Sequence, residues 1–394
     1  MIGVAEAKEI IDKNTITLTP AKCILGVAVR KVLAEDVYSS ISIPHFDQSS
    51  VDGYAFSFNE WLLHKKLKIT GEIAAGSKEV NTLPPASAVR IFTGAAVPAG
   101  ADTVVMQEKV TAQNDELVIH DENPVAGSYV RKKGSEIQAG ALALEKDTVL
   151  SPAAIGFLAM LGHTEVTVYP DPTISIIITG NELQKPGNPL QHGQVYESNS
   201  SALISVLHQL NFNKVEVVYV TDESNLITAT LKNALQENDV VLLTGGISVG
   251  DYDFVLQAAT ECGVQKLFHS VKQRPGKPLY FGKKEAKLVF GLPGNPASVL
   301  TCFYQYVLPA FEKLSKRKLA LQIIRAPLAK TFQKAAGLTH FLKGKYDRKT
   351  ATPLDAQESY RLSSFARANC LIQINEEVTI CKEGELVDVH LLPG

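Results

Sequence analysis

Between residues 173 and 312, short β-branched runs alternate with helix-patterned stretches, and no other feature of the 394-residue chain restricts its fold as much. The runs occupy residues 173–178, 215–220, 240–243, 264–268 and 288–291. Continuous apolar runs of this kind suit strands buried on both faces, and helices between them let each strand return parallel to the last. Leu203, Leu207 and Leu210 recur at helical spacing, with Asn199 or Ser200 available as a cap. The pattern predicts a three-layer α/β domain built on a parallel sheet.

The residues after these runs are informative, because ligands in open parallel sheets bind at the carboxyl ends of the strands. There the sequence reads Thr-Gly-Asn-Glu at 179–182, Thr-Asp at 221–222, Thr-Gly-Gly at 244–246 and Pro-Gly-Asn-Pro at 293–296. Four loops thus place glycines, hydroxyls and carboxylates on one rim, although a single glycine turn after a strand is ordinarily only a tight connection.

At roughly 150 residues per domain the chain has room for two or three cores. Residues 44 to about 140 hold short β-like stretches broken by glycine and proline, such as Val-Arg-Ile-Phe at 89–92 and Thr-Val-Val-Met at 103–106. Helical patterns flank them at 4–12 and 151–161, where Ser151 and Pro152 supply a cap and a first turn. The β segment therefore reads as an insertion into a helical arm. Past residue 320 short strands return, at 371–374 and 378–380, with Glu-Gly-Glu at 383–385 as a turn. The expected organisation is an N-terminal helical and linker domain from 1–43 and 140–170, an inserted β domain at 44–139, an α/β domain at 171–315 and a small C-terminal β barrel at 320–394.

Composition narrows the function classes. The 39 Lys and Arg nearly balance the 41 Asp and Glu, for a net charge of −2, so no global positive field exists to hold nucleic acid and any basic site must be local. A 45% hydrophobic, 20% charged composition is globular rather than disordered or collagenous. The longest nearly apolar stretch, 299–311, falls short of the roughly 18 residues a membrane span needs. Glu6, Lys8, Glu9, Asp12 and Lys13 interrupt any apolar export signal. Cys23, Cys262, Cys302, Cys370 and Cys381 are dispersed and never spaced as CxxC, which predicts a reducing cytoplasm rather than a disulfide framework or thiolate zinc site. The nine histidines show neither HxH nor HExxH spacing, and no GxSxG elbow offers a nucleophile.

Several loops could carry chemistry. Residues 244–253, Thr-Gly-Gly-Ile-Ser-Val-Gly-Asp-Tyr-Asp, follow one run and precede a helical stretch, so adjacent glycines and a helix start could cradle a phosphate. Acids such as Asp251 and Asp253 at a helix start are ordinarily caps. Residues 272–278 concentrate Lys272, Arg274 and Lys277 around a rigid Pro-Gly turn. Each charge-assisted hydrogen bond there could contribute about 1.5 to 3 kcal/mol to holding an anion; the bland alternative is a solvated basic turn, and Arg-Lys-Lys at 131–133 takes the same discount. Asp47 and Asp52 lie on the 44–55 loop, where Asp52 before Gly53 alone suggests an Asx turn. Thr93 and Gly94 follow a strand-like run and are unspecific in isolation.

The order of the pieces is more specific than any one of them. Residues 46–55, Phe-Asp-Gln-Ser-Ser-Val-Asp-Gly-Tyr-Ala, are followed by Arg-Ile-Phe-Thr-Gly at 90–94, Arg-Lys-Lys-Gly-Ser-Glu-Ile at 131–137, Thr-Gly-Asn-Glu-Leu at 179–183, the 244–253 loop, Arg-Pro-Gly-Lys-Pro at 274–278 and Pro-Gly-Asn-Pro at 293–296. Over nearly its whole length the chain resembles the molybdopterin molybdenumtransferases, the family that includes the gephyrin E domain. The resemblance implies an elongated homodimer of four-part subunits, with an active cleft between the α/β domain of one subunit and the inserted β domain of the other. It implies that adenylylated molybdopterin is cleaved in a divalent-metal-dependent step, that AMP leaves and that molybdate enters the dithiolene. By motif, Asp52, Thr93, Glu182 and Asp222 would be catalytic, with Asp52, Glu182 and Asp222 holding Mg²⁺. Asp251, Asp253, Gly245, Gly246, Ser248 and Gly250 would bind cofactor on the sheet rim, and Arg274, Lys277, Pro278 and Ser298 would line an oxyanion pocket. Pro293, Pro296, Arg131, Glu136, Ser363 and Ser364 would complete the binding surface.

Charge arithmetic independently supports a metal. A carboxylate about 4 Å from a phosphate repels it by roughly 1 kcal/mol in water and about 4 kcal/mol at an effective dielectric of 20, so Asp52, Glu182 and Asp222 together would expel a pyrophosphate. Bound Mg²⁺ reverses that sign, taking carboxylate and phosphate oxygens and polarising the scissile bond. The chain departs from the family at Asn181, where Thr-Gly-Asp-Glu is usual, and at Ser135, where an acid is common. It departs again at Leu338 and Lys343, where a strand of the terminal domain usually begins and ends with arginine. Two other readings use the same fold: a molybdopterin adenylyltransferase, which would need only the α/β core, and a gephyrin-like scaffold for a partner protein such as another enzyme of molybdenum-cofactor biosynthesis.

Overall fold

The structure, a computed structural model, describes residues 1–78, 81–121, 123–246 and 254–393. The chain divides into two compact units, Cys23–Val29 with Leu33–Val166, and Met1–Lys22 with Arg30–Val32 and Thr167–Gly394.

The first unit is built on a six-stranded sheet in the order Thr103–Met106, Gly53–Phe56, Ser87–Ile91, Lys66–Ile73, Glu116–Ile119 and Val110–Gln113. Successive side chains of a strand point to opposite faces, and both faces here are apolar. Ala55, Val89 and Val104 pack in one core, while their chain neighbours Phe56, Ala88 and Val105 pack in another with Trp61. Trp61 comes from the helix Phe58–His64, whose first turn is capped by the Ser57 hydroxyl. Gly53 is forced by close approach, since a Cβ there would lie 1.8 Å from the Val105 carbonyl oxygen. The arm helix Pro152–Met160 starts at Ser151, whose hydroxyl accepts from the amide of Ala154 at 3.1 Å.

The second unit contains the α/β layers. In chain order they are β1 (Ile174–Thr179), α1 (Asn199–Gln209), β2 (Val215–Val220), α2 (Ser224–Glu237), β3 (Val240–Thr244), α3 (Phe254–Glu261), β4 (Gln265–Ser270), β5 (Pro278–Lys284), β6 (Lys287–Leu292) and α4 (Pro296–Cys302). The sheet order is β2-β1-β3-β6-β5-β4. Ile176, Val240, Leu242 and Phe290 face one core, and Ile177, Val241, Leu243 and Val289 face the other, which explains the unbroken apolar runs. The sheet is parallel from β2 to β6 but ends in an antiparallel edge, β6-β5-β4. The sequence pattern predicts no strand at β5, because Lys283 and Lys284 and the preceding basic turn hide the apolar Leu279–Phe281 within it.

The terminal sheet has six strands: the path Gln273–Arg274, Thr339–Tyr346, Cys370–Ile374, Leu386–Leu391 and Ile323–Pro327, with Ala351–Pro353 paired beside Thr339–Tyr346. Its first member belongs to the basic turn and pairs parallel with Thr339 and His340. Within this region Lys343 is 1% exposed, and its ammonium donates to the carbonyl oxygens of Ala356 at 2.8 Å, Arg361 at 3.0 Å and Glu358 at 3.2 Å. All three of its protons are committed to this scaffold. Lys343→Met should lower stability by about 1–3 kcal/mol because it leaves three part-buried carbonyls without their donor; an unchanged urea midpoint would contradict this.

Candidate functional site

The carboxyl ends of β1, β3 and β6 open on a cleft of about 910 Å³, at the upper end of the size range of small-molecule sites. Glu182 follows β1, Asn199 begins α1, Thr244 closes β3 and Ser298 lies in the first turn of α4, and all four line it. Arg274 to Pro278 form a further wall, with Leu338 and Tyr360 beyond.

The cationic wall is held from beneath by a residue that sequence reading passes over. Gln273 is fully buried, and its amide nitrogen donates to the carbonyls of Pro275 at 3.1 Å and Gly276 at 3.0 Å. Its amide oxygen accepts from the Tyr306 hydroxyl. Gly276, at φ +85°, turns the loop against this knot, and a Cβ there would meet the Cys302 sulfur at 2.5 Å. Between Lys272 and Arg274, Gln273 reads as one more solvated polar residue; only its fit against Tyr306 and Cys302 reveals the knot.

Above the knot, Arg274 and Lys277 are exposed to the cleft. Among the described residues neither side chain has an ion-pair partner, whereas Lys272 faces Glu376 at 3.7 Å. A second hollow of about 280 Å³ shares Arg274, Pro275 and Leu338 with the cleft and holds His340. Burial, with Lys334 and Arg274 nearby, pushes the His340 imidazole down to about 4, so it adds no charge near neutrality. Ser298 is 2% exposed, and Pro278, Pro293 and Pro296 shape the same surface.

Glu182 lines the cleft, whereas Asp222 does not; it is tied instead to the β1 end that borders the cleft. The Thr179 hydroxyl donates to one Asp222 oxygen, and the Asn181 amide donates to the other at 3.1 Å. In return the Asn181 side-chain oxygen accepts from the Asp222 amide at 3.2 Å. Gly245, at φ +89°, passes so close that a Cβ would lie 2.1 Å from the Thr179 carbonyl oxygen. Gly246 follows at φ +62°. Ser248, Gly250, Asp251 and Asp253 lie outside the described residues. Among the described residues, no three acids, histidines or cysteines gather as a metal-binding group.

Asp52 belongs to the other unit. One of its carboxylate oxygens accepts from the Thr93 amide at 2.8 Å and the Thr93 hydroxyl at 2.7 Å, so the aspartate is tied to a residue 41 positions away rather than closing a local turn. These bonds, the Thr93 amide first, hold its carboxyl below the usual carboxylate range. In the same unit Asp47 clamps the basic turn, accepting from the Lys132 ammonium at 2.9 Å and the Lys133 amide at 2.8 Å. Arg131 and Glu136 beside it are exposed. In the terminal region Ser363 is exposed; Ser364 is buried, with its hydroxyl shared between the carbonyls of Ala356 at 2.7 Å and Arg361 at 3.1 Å. Neither residue lines the cleft.

A parallel sheet whose strand ends carry a polar cleft with unpaired cations defines a small-molecule-binding α/β protein. Family models match nearly the whole chain: "MoeA N-terminal region (domain I and II)" over residues 2–162, "Probable molybdopterin binding domain" over 175–313, and "MoeA C-terminal region (domain IV)" over 325–392. A molybdopterin molybdenumtransferase of Haemophilus influenzae is 34% identical, over 93% of this chain and 94% of its own. One of Staphylococcus aureus is 31% identical, over 99% of this chain and 95% of its own. The molybdopterin biosynthesis MoeA protein of Pyrococcus horikoshii superposes with a TM-score of 0.83 at 30% identity, with both chains fully covered. The chain belongs to the MoeA family of molybdopterin molybdenumtransferases. Its multidomain architecture, an α/β molybdopterin-binding core with a β domain inserted upstream and a β domain at the C-terminal end, is the one the sequence predicts.

The Asp52 environment is testable without any assay of activity. Thr93→Val removes the hydroxyl donor while keeping the amide, and should move the Asp52 pKa part of the way up toward the ordinary value of about 3.9 in a carboxyl-resolved NMR titration; an unmoved pKa would remove the Thr93 hydroxyl as a cause.

Proposed function

We propose that this protein transfers molybdenum from molybdate to adenylylated molybdopterin, with release of AMP. The observation that carries the reading is the pair Arg274 and Lys277, on the wall of a cleft at the carboxyl end of a parallel sheet and free of carboxylate partners among the described residues. Two unpaired cations beside a buried serine suit a tetrahedral dianion, because each can give a charge-assisted hydrogen bond without first breaking another.

The carboxylates at the β1 and β2 ends suit a hard divalent cation. Asp222 is held by Thr179 and Asn181 with lone pairs to spare, and Glu182 stands on the cleft surface. Two carboxylates with substrate phosphates and water make an oxygen set of the kind Mg²⁺ takes. Bound there, Mg²⁺ would polarise the phosphoanhydride and offset the repulsion between acids and pyrophosphate. Glu182 and Asp222 orient the pyrophosphate, and Arg274, Lys277 and Ser298 hold molybdate beside the dithiolene that receives it. The Gly245–Gly246 turn offers backbone amides to the substrate's phosphates, and Pro278, Pro293 and Pro296 stiffen the walls.

The same reading makes the enzyme a homodimer in which the Asp52–Thr93 pair of a second copy completes the carboxylate set. It places the enzyme in the cytoplasm, in keeping with five unpaired cysteines and with described helices too short or too polar to cross a membrane. The adenylyltransferase alternative leaves residues 2–162 and 325–392 without a task.

Purified protein given adenylylated molybdopterin, Mg²⁺ and molybdate should release AMP and yield active cofactor. Glu182→Ala should abolish metal-dependent AMP release. Lys277→Ala should raise the molybdate requirement more than it weakens nucleotide binding, and an equal loss of both would refute a separate oxyanion pocket. Inactive Asp52→Ala and Glu182→Ala chains, unfolded and refolded together, should regain about a quarter of parental activity, since half the dimers are mixed and each carries one intact site. No recovery would sink the shared site.

A further inference from the structure

Two buried polar atoms on residues that line the cleft have no hydrogen-bond partner among the described residues. Asn199 is 8% exposed; its side-chain nitrogen donates to the Gly294 carbonyl at 2.9 Å, which fixes the amide and leaves its Oδ1 unbonded. Thr244 is 1% exposed, and its Oγ1 is likewise unbonded. Both residues line the cleft. They are neighbours through one loop: Thr244 pairs with Leu292 across β3 and β6, and the Pro293–Gly294 turn that follows carries the carbonyl holding Asn199. Leaving a buried acceptor unsatisfied costs about 1–3 kcal/mol, so a pair of such groups on residues that line one cavity marks a place where a ligand can supply the missing bonds.

Their chemistry discriminates among ligand parts. The Asn199 carbonyl can only accept, so it needs an N–H or O–H donor, which neither molybdate nor an ionised phosphate offers. Thr244 can donate or accept. A fixed acceptor beside a hydroxyl matches the edge of a heterocycle on which ring N–H, amino and carbonyl groups alternate. The Pro293–Ser298 segment that anchors Asn199 also carries Ser298, on the molybdate side of the cleft. The ring read there is therefore the one bearing the dithiolene. We propose that Asn199 Oδ1 and Thr244 Oγ1 recognise the hydrogen-bonding edge of the pterin and hold it with its dithiolene toward Arg274 and Lys277. This rests on the functional reading above and assigns it two binding residues that the motifs do not mark for this task.

The test measures binding of adenylylated molybdopterin and of AMP to the full-length protein. Thr244→Val, which keeps shape and loses the hydroxyl, and Asn199→Ala should each weaken substrate binding about tenfold, the equivalent of one hydrogen bond to a buried group. AMP affinity should stay within about twofold of the parent in both, as it does not contain the ring. Thr244→Ser, which restores the hydroxyl, should bind substrate like the parent and so exclude a folding defect as the cause. If AMP affinity falls as far as substrate affinity, or if Thr244→Val binds substrate like the parent, the assignment to the pterin edge is overturned. Failure of the parent itself to bind the substrate or release AMP would instead overturn the functional reading.

Discussion

The amide of Gln273 is the interaction on which the site depends. A loop carrying three cations in six positions would spread them into water if nothing bound its backbone from below. Gln273 satisfies the carbonyls of Pro275 and Gly276, is fixed in turn by the Tyr306 hydroxyl, and lies 0% exposed. Burial of an unbonded amide would be costly, but here its nitrogen and oxygen are both engaged and the cost becomes specificity. The Pro275–Gly276 turn is pinned against Cys302, and the charges of Arg274 and Lys277 are left on the cleft side. Burial raises the Cys302 thiol far above its ordinary range, so the sulfur acts as an uncharged packing surface for Gly276. Tyr306 and Cys302 both belong to the helical segment that begins at Pro296, so the same helix supports the basic loop and presents Ser298.

Charge segregation follows from which groups are already satisfied. Lys272 faces Glu376 and Lys343 is spent on three carbonyls, so these cations serve the framework. Arg274 and Lys277 have no such engagement among the described residues. Within the terminal region the contrast is sharp: the residue that reaches the cleft beside the Thr339–Tyr346 strand is the uncharged Leu338, and that strand's Lys343 is buried. Among the described residues, cationic contact with the cleft is therefore concentrated on the 272–278 loop, which makes the knot beneath it consequential.

Much of the fold was legible because its cores obey simple periods. A short, β-branched run such as Ile174–Thr179, closed by a glycine turn, suits a strand covered on both faces, and the residue order around Ser151 and Pro152 marks a helix start from local chemistry alone. The edge strand Pro278–Lys284 was not legible, because its apolar centre is short and flanked by lysines that suggest solvent. Individual site residues were legible as types on a rim, and their order along the chain carried the family. What no local pattern could supply was partnership across long separations. Asp52 looks like a turn aspartate until Thr93, 41 residues on, is seen to donate to it twice, and Gln273 looks solvated until Tyr306 is placed.

Asn181 illustrates how a departure from the family pattern is absorbed. Its side-chain oxygen accepts from the Asp222 amide, while its own amide donates to the Asp222 carboxylate. An aspartate at this position would offer the same acceptor, so the reciprocal pair between the two strand-end loops survives the substitution. What changes is charge: one fewer carboxylate sits beside Asp222, and the mutual repulsion that a cation would otherwise have to offset is smaller. The loop pair keeps its geometry and loses part of its pull on a divalent ion. Under the proposed Mg²⁺ chemistry, more of the ion's retention would fall on Glu182, on Asp222 and on the phosphates the substrate brings with it.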